Sequence, residues 1–134
     1  MFAEGGKLYV YFTYGMHFCA NVVTEDAGKG CAVLLRGVEP LEGLPLMARR
    51  RKIPGERITD LCNGPAKLCQ AFAIRRPENG TDLCGDKIWI THGRSRSGRK
   101  RIVRTPRIGI RQGKEKLWRF LLAEPPVTRR HPPS

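Results

Sequence analysis

The sequence predicts an α/β chain of the α+β type: a β-rich single domain with a mixed or antiparallel sheet and two short helices. Three observations carry that expectation. Residues 8–23 read as a β-hairpin. Further strand-like runs follow without alternating with helices, which argues against a doubly wound parallel sheet. Helix patterns are confined to two stretches, 44–52 and 63–74. A chain of 134 residues fits one domain, and that length buries about two-thirds of its unfolded surface. We place the domain at 1–123, with a basic loop at 93–101 and a Pro-rich basic tail at 124–134.

After a Gly-rich lead-in, Leu8, Val10 and Phe12 alternate with Tyr9, Tyr11 and Thr13, the period of a half-buried strand. A second β-rich run extends from His17 to Val23. Gly15 between the two reads as a hairpin turn with Tyr14 at or beside the tip. All three tyrosines of the chain, Tyr9, Tyr11 and Tyr14, fall inside this hairpin. Residues 24–30 form a polar turn. Residues 31–38 predict a third strand, apolar on both faces apart from Arg36, and so central in its sheet. Arg36 must then be exposed at one end or paired, because an isolated buried charge is too costly.

Residues 39–43 break that strand. A short helix is expected over 44–52, with Leu44 and Met47 on one face. In the stretch 63–74, Pro65 suits the first helical position and Gly64 or Asn63 the cap. Leu68, Cys69 and Phe72 make its apolar stripe. Lys67 in the first turn opposes the helix dipole. Either an anion docks there, or Lys67 is an ordinary solvated side chain. Residues 75–86 read as polar loop, 87–91 (KIWIT) as a strand, and 102–110 and 117–122 as the last strand-like runs.

The net charge is +13 and the pI near 10.2, which points first to a nucleic-acid partner. Eleven basic residues and one acid, Glu115, lie between Arg94 and Arg119; such a run attracts phosphates more readily than it reads bases. No apolar run approaches the roughly 20 residues of a membrane helix, and the chain begins without a leader pattern. The five cysteines form no CxxC pair, so reduced intracellular thiols are expected. The three histidines do not cluster with them, and no metal is expected. A tyrosine at a hairpin tip in a basic domain suits a nucleic-acid wedge or a stacking platform; core packing is the alternative for Tyr9 and Tyr11.

Residues 9–21 (YVYFTYGMHFCAN), 33–43 (VLLRGVEPLEG) and 61–74 (LCNGPAKLCQAFAI) closely resemble the alkyladenine (3-methyladenine) DNA glycosylases. Residues 105–110 (TPRIGI) and 118–120 (WRF) resemble the end of the same family. The resemblance runs from Met1 to about Phe120, omitting the arginine-rich loop and the tail, and implies the C-terminal two-thirds of that fold. It implies base-excision repair of alkylated or deaminated purines in double-stranded DNA. The purine is flipped into a pocket and released by water attack on the N-glycosidic bond, with no cofactor and no metal.

Residue by residue, the resemblance makes Tyr14 the intercalating side chain, Tyr11 the stacking face on the flipped base and Asn21 the group that obstructs guanine's amino group. Arg36 becomes a supporting residue near the sugar and its water. Lys67 and Gly64 become contacts to the DNA backbone. The family's water-activating glutamate, a second stacking tyrosine and a base-binding histidine have no counterpart among these motifs. The chain is therefore expected to be N-terminally incomplete and catalytically weak alone. The alternative is a non-catalytic basic module that binds DNA or RNA. A monomer without a membrane attachment is expected, cytoplasmic or nucleoid-bound in a bacterium and nuclear in a eukaryote.

Overall fold

The computed structural model of the protein describes residues 4–13, 15–93 and 101–123. The chain divides into two compact units, Met1–Thr91 and His92–Ser134. In the first, β1 (Leu8–Thr13) and β2 (His17–Thr24) pair antiparallel, in register from Leu8 opposite Val22 to Thr13 opposite His17. The hairpin is therefore as the alternation predicts. β3 (Cys31–Leu34) adds antiparallel to β2, with Asn21 opposite Leu34. The outer edge of β1 is covered by residues 79–82: Leu8 donates to Thr81 O at 2.8 Å, Gly80 donates back to Leu8 O at 2.7 Å, and Val10 N–H reaches the Asn79 side chain at 2.9 Å. A covered edge no longer offers its N–H and C=O groups to a stray strand.

Two strand expectations are corrected. The third strand ends at Leu34 rather than Val38, and β2, not β3, is central in the order β1-β2-β3. Past Leu35 the chain leaves the sheet, and Val38 N–H bonds to Cys62 O at 3.1 Å. Of the apolar residues beyond the strand, Leu35 packs on the core under the sheet and Val38 stays exposed. Residues 87–91 form no strand; they make one bridge, Cys84 to Trp89, and one bond from Ile90 N–H to Leu83 O. KIWIT has strand composition but folds back on its own approach, so it finds no neighbouring strand to pair with.

Helices α1 (Leu44–Arg51) and α2 (Pro65–Phe72) lie where the sequence places them. Both end in the same way. Lys52 and Ala73 turn left-handed, and the next amides, Ile53 and Ile74, bond back to Ala48 O and Cys69 O. This is the Schellman arrangement, which satisfies terminal carbonyls and tucks an apolar residue under the helix end. It also corrects the expected stripe of α2. Ile74 takes the core position beside Leu68 and Cys69, and Phe72, the last helical residue, is left exposed.

The core has two parts. Leu8, Val10 and Ala20 of the sheet pack on Leu68, Cys69 and Ile74. Met47 and Ala48 of α1 pack on Leu61, Cys62 and Ala71. Arginines fasten the second part: Arg51 donates to Leu61 O, Asp60 O and the Gln70 side chain, and Arg50 to Ala71 O at 2.9 Å.

The second unit holds β4 (Arg101–Thr105) and β5 (Arg119–Ala123), paired antiparallel from Arg101 opposite Ala123 to Thr105 opposite Arg119. Both overlap the strand-like runs read from sequence, each extending one residue beyond its run, and are bounded by Pro106, which lacks the amide needed to continue a ladder, and by the turn through Lys116–Trp118. None of residues 101–123 is buried. Most of the basic loop (94–100) and the tail (124–134) lie outside the described residues.

Candidate functional site

Directly opposed residues of an antiparallel pair share a face of the sheet. The register therefore sorts the hairpin without ambiguity. Leu8, Val10 and Ala20 face the core, and Tyr9, Tyr11, Cys19 and Asn21 share the other side, with Leu34 of β3 opposite Asn21. The rings of Tyr9 and Tyr11 stand 5.6 Å apart at 32°, a tilted pair of the kind aromatic quadrupoles favour. Asn21 is the single polar side chain counted as buried among the described residues, 7% exposed. Its Nδ2 donates to Tyr9 O at 3.3 Å. A buried amide held to the backbone cannot swing away, so it presents a fixed polar group beside two aromatic rings. Tyr11 and Asn21, both expected at a base pocket, thus come from neighbouring strands to one face.

Arg36 follows β3. Leu35 donates to Ala20 O at 2.9 Å and packs on the core, carrying the sheet register one residue past the strand. Arg36 itself lies two residues past β3 and is half-buried. Gly37 then passes tightly over the lead-in to α2: a Cβ there would stand 3.1 Å from Cys62 O and 3.6 Å from Asn63 Cα. The segment bearing Arg36 is thereby held against the turn that opens α2. Gly64 caps that helix in extended backbone, with φ −164° and no side-chain cap. Lys67 is exposed and donates to Asn63 Oδ1 at 3.1 Å. Its place in the first turn, against the helix dipole, thus has a local partner. Asn63 leads back to Asp60 and on to Arg57, whose guanidinium lies 2.7 Å from Asp60 Oδ2.

Tyr14 lies outside the described residues, between Thr13 and Gly15. Sequence reasoning missed Gly37, whose close approach to Cys62 leaves no local signature. It also missed the clamps from Arg50 and Arg51, which read as plain charge in the run 49–52. Two of the buried thiols are held from the thiolate form. Burial pushes Cys69 up to about 11, with Cys19 nearby adding to the rise and a backbone bond from Ala20 opposing it. Burial likewise raises Cys62, opposed by Arg51. Only a thiolate attacks or ligates at neutral pH. The five cysteines are free, and the described residues contain no cluster of groups able to hold a metal.

The sequence profile of the methylpurine-DNA glycosylase family matches residues 1–126. Among similar proteins are three that each carry the name "Putative 3-methyladenine DNA glycosylase". One from Prosthecochloris aestuarii is 40% identical over 133 residues, 99% of this chain and 62% of its own. One from Francisella tularensis is 42% identical over 126 residues, 92% of this chain and 64% of its own. One from Carboxydothermus hydrogenoformans is 48% identical over 123 residues, 91% of this chain and 63% of its own. The chain thus spans somewhat under two-thirds of the length of these relatives.

Proposed function

The chain belongs to the methylpurine-DNA glycosylase family, and from that premise we propose that it recognises a damaged purine flipped out of double-stranded DNA and serves its removal. In the reaction water attacks the sugar C1′, the N-glycosidic bond breaks, and its electron pair leaves with the base, giving an abasic site and an intact strand. The observation that carries this reading is the face shared by Tyr11 and the buried Asn21.

In this reading Tyr11 stacks on the extruded base, which contributes about 1–3 kcal/mol. Asn21, held to Tyr9 O, obstructs the amino group that distinguishes guanine from hypoxanthine and 3-methyladenine. Arg36 stands near the sugar and its attacking water as a supporting residue. Lys67 and the Gly64 amide meet a backbone phosphate, and Tyr14 fills the gap left in the stack. Flipping costs a few kcal/mol, least for a poorly paired base, which adds to selectivity. The protein works as a monomer on DNA inside the cell.

No carboxylate of this chain matches the family's water-activating glutamate, so we expect hydrolysis by the chain alone to be slower by about 10² to 10⁴. That same observation favours a second reading, a binding module without turnover. Incubating the protein with a hypoxanthine duplex and then with alkali separates the two, since strand breaks at the lesion report excision. The pocket itself is tested by affinity. The parent protein should prefer the hypoxanthine duplex to plain duplex, and Tyr11→Ala and Asn21→Ala should each reduce that ratio. If both variants keep the parent's ratio, the tyrosine face is not the pocket.

A further inference from the structure

We propose that the β4–β5 ribbon and the loop joining its strands are a second DNA surface, one that grips backbone phosphates of the duplex without reading sequence or damage. The proposal rests on the DNA reading above for its partner, and on three observations within this unit for its place.

The first is the distribution of charge. Residues 1–93 hold twelve basic and ten acidic side chains, whereas 94–134 hold thirteen basic and two acidic. Nearly all of the net +13 therefore lies in the C-terminal part. Within 101–123 the basic residues are Arg101, Arg104, Arg107, Arg111, Lys114, Lys116 and Arg119, against Glu115 alone. Among the described residues none of the seven forms an ion pair. Such a strip repels itself unless an anion covers it.

The second is that its cations are held ready. Arg104 lies 5.4 Å from the centroid of Phe120 and donates to Leu117 O. Arg107 lies 5.1 Å and Lys116 4.2 Å from the centroid of Trp118. Arg119 donates to Thr105 Oγ1 at 3.4 Å. Gly113, at φ +72°, lets the loop close on Arg107: a Cβ there would stand 2.6 Å from Arg107 Nη2. Side chains ordered before binding lose less entropy on binding, and guanidinium groups match phosphate geometry.

The third is that the aromatics are already taken. Each ring that could stack on a base, Phe120 and Trp118, carries a cation of its own chain. That favours phosphate contact over base stacking, and so contact that does not depend on sequence.

The test uses the full chain and two 20-base-pair duplexes, one plain and one with a single hypoxanthine. Arg104, Arg111 and Lys116 are exposed, and the triple variant Arg104→Gln, Arg111→Gln, Lys116→Gln should keep the parent's circular dichroism and melting curve. Each phosphate left without its cation lowers the slope of log affinity against log salt by about 0.9, so the slope should fall by about 2.7 on both duplexes. The ratio between the duplexes should not change. A charge-keeping pair, Arg104→Lys with Lys116→Arg, should hold the parent's slope. A control triple from the other unit, Lys29→Gln, Arg49→Gln, Lys52→Gln, should move the slope by less than half as much.

An unchanged slope in the ribbon triple overturns the proposal, as does an equal fall in the control triple or a reduced slope in the charge-keeping pair. A collapse of the duplex ratio makes the ribbon part of damage recognition and overturns it too. A change of sedimentation coefficient with the slope intact identifies a contact between copies of the chain instead. If the parent itself shows no lesion preference, the pocket reading fails while the slope comparison still decides the ribbon.

Discussion

Residues 4–91 and residues 101–123 strike opposite balances between burial and charge. The first unit has a layered core, with Leu8, Ala20, Leu61 and Ala71 at 2% exposure or less. Its arginines are spent on structure, as in the contacts of Arg50 and Arg51 to carbonyls and of Arg57 to Asp60. The second unit buries no residue among those described, and leaves Ile102, Phe120 and Leu122 exposed. Its contacts are cross-strand pairs and cations over rings. An exposed cation–π contact is worth about 0.5–1 kcal/mol, and a two-stranded ribbon is marginal by itself. On the proposed function this is a division of labour: rigidity where a base would be discriminated by one amide, and charge where only a phosphate chain would be held.

The largest test of that contrast is truncation. Leu61→Ala should cost about 2–5 kcal/mol in urea unfolding, as a buried leucine does. Leu122→Ala, on the exposed ribbon face, should stay within about 0.5 kcal/mol. Equal losses would mean that the ribbon is part of the same cooperative core.

Next in size is Gly37→Ala. The added methyl meets Cys62 O at 3.1 Å, and such overpacking typically costs about 1–3 kcal/mol. It should also displace the Arg36 segment, so lesion preference should drop along with stability. Stability loss without any change in preference would detach Arg36 from the pocket.

Gly113→Ala probes the other unit. A left-handed alanine costs roughly 1–2 kcal/mol, and Arg107 must also shift. The effect should appear as faster hydrogen exchange in Arg101–Thr105, with the main urea transition unmoved. A shift of that transition would show the units unfolding together.

The smallest effect is a pH dependence in the first unit. Burial raises the Glu78 carboxyl, but the Arg75 amide, its own amide and Lys87 outweigh that, and the net value lies below the ordinary one. A depressed carboxylate stabilises the folded state above its unfolded pKa and loses that contribution as the pH falls through its folded value. The melting temperature should therefore decline through the acid range, and Glu78→Gln should flatten the decline slightly. A Gln variant with the parent's full acid dependence would place the effect on other carboxylates.

Much of the fold was legible because its signals are local. The hairpin follows from alternation across residues 8–13 and 17–24, and the start of α2 from Pro65 behind Gly64. KIWIT misled because composition favours a strand, yet a strand exists only where a partner is in reach, and residues 87–91 fold back on Leu83 and Cys84. The two-faced apolar run at 31–38 misled because apolar composition does not fix burial: Cys31, Val33 and Val38 stay exposed beside β2 and beyond the strand. Phe72 misled because periodicity could not foresee that Ile74, beyond the helix, would fill the same part of the core.

The sequence by itself determined the faces of the hairpin, the places of both helices, the excess of positive charge near the C-terminal end and the motifs of the family. Tertiary structure alone decided that Asn21 is buried and bonded to Tyr9, that Gly37 pins the Arg36 segment to Cys62, and that Arg50 and Arg51 of α1 are fasteners. The reason is physical. Period, propensity and capping act within a few residues and can be read in line, whereas a pairing register, a close backbone approach and the carbonyl that receives a guanidinium all depend on residues distant in the chain.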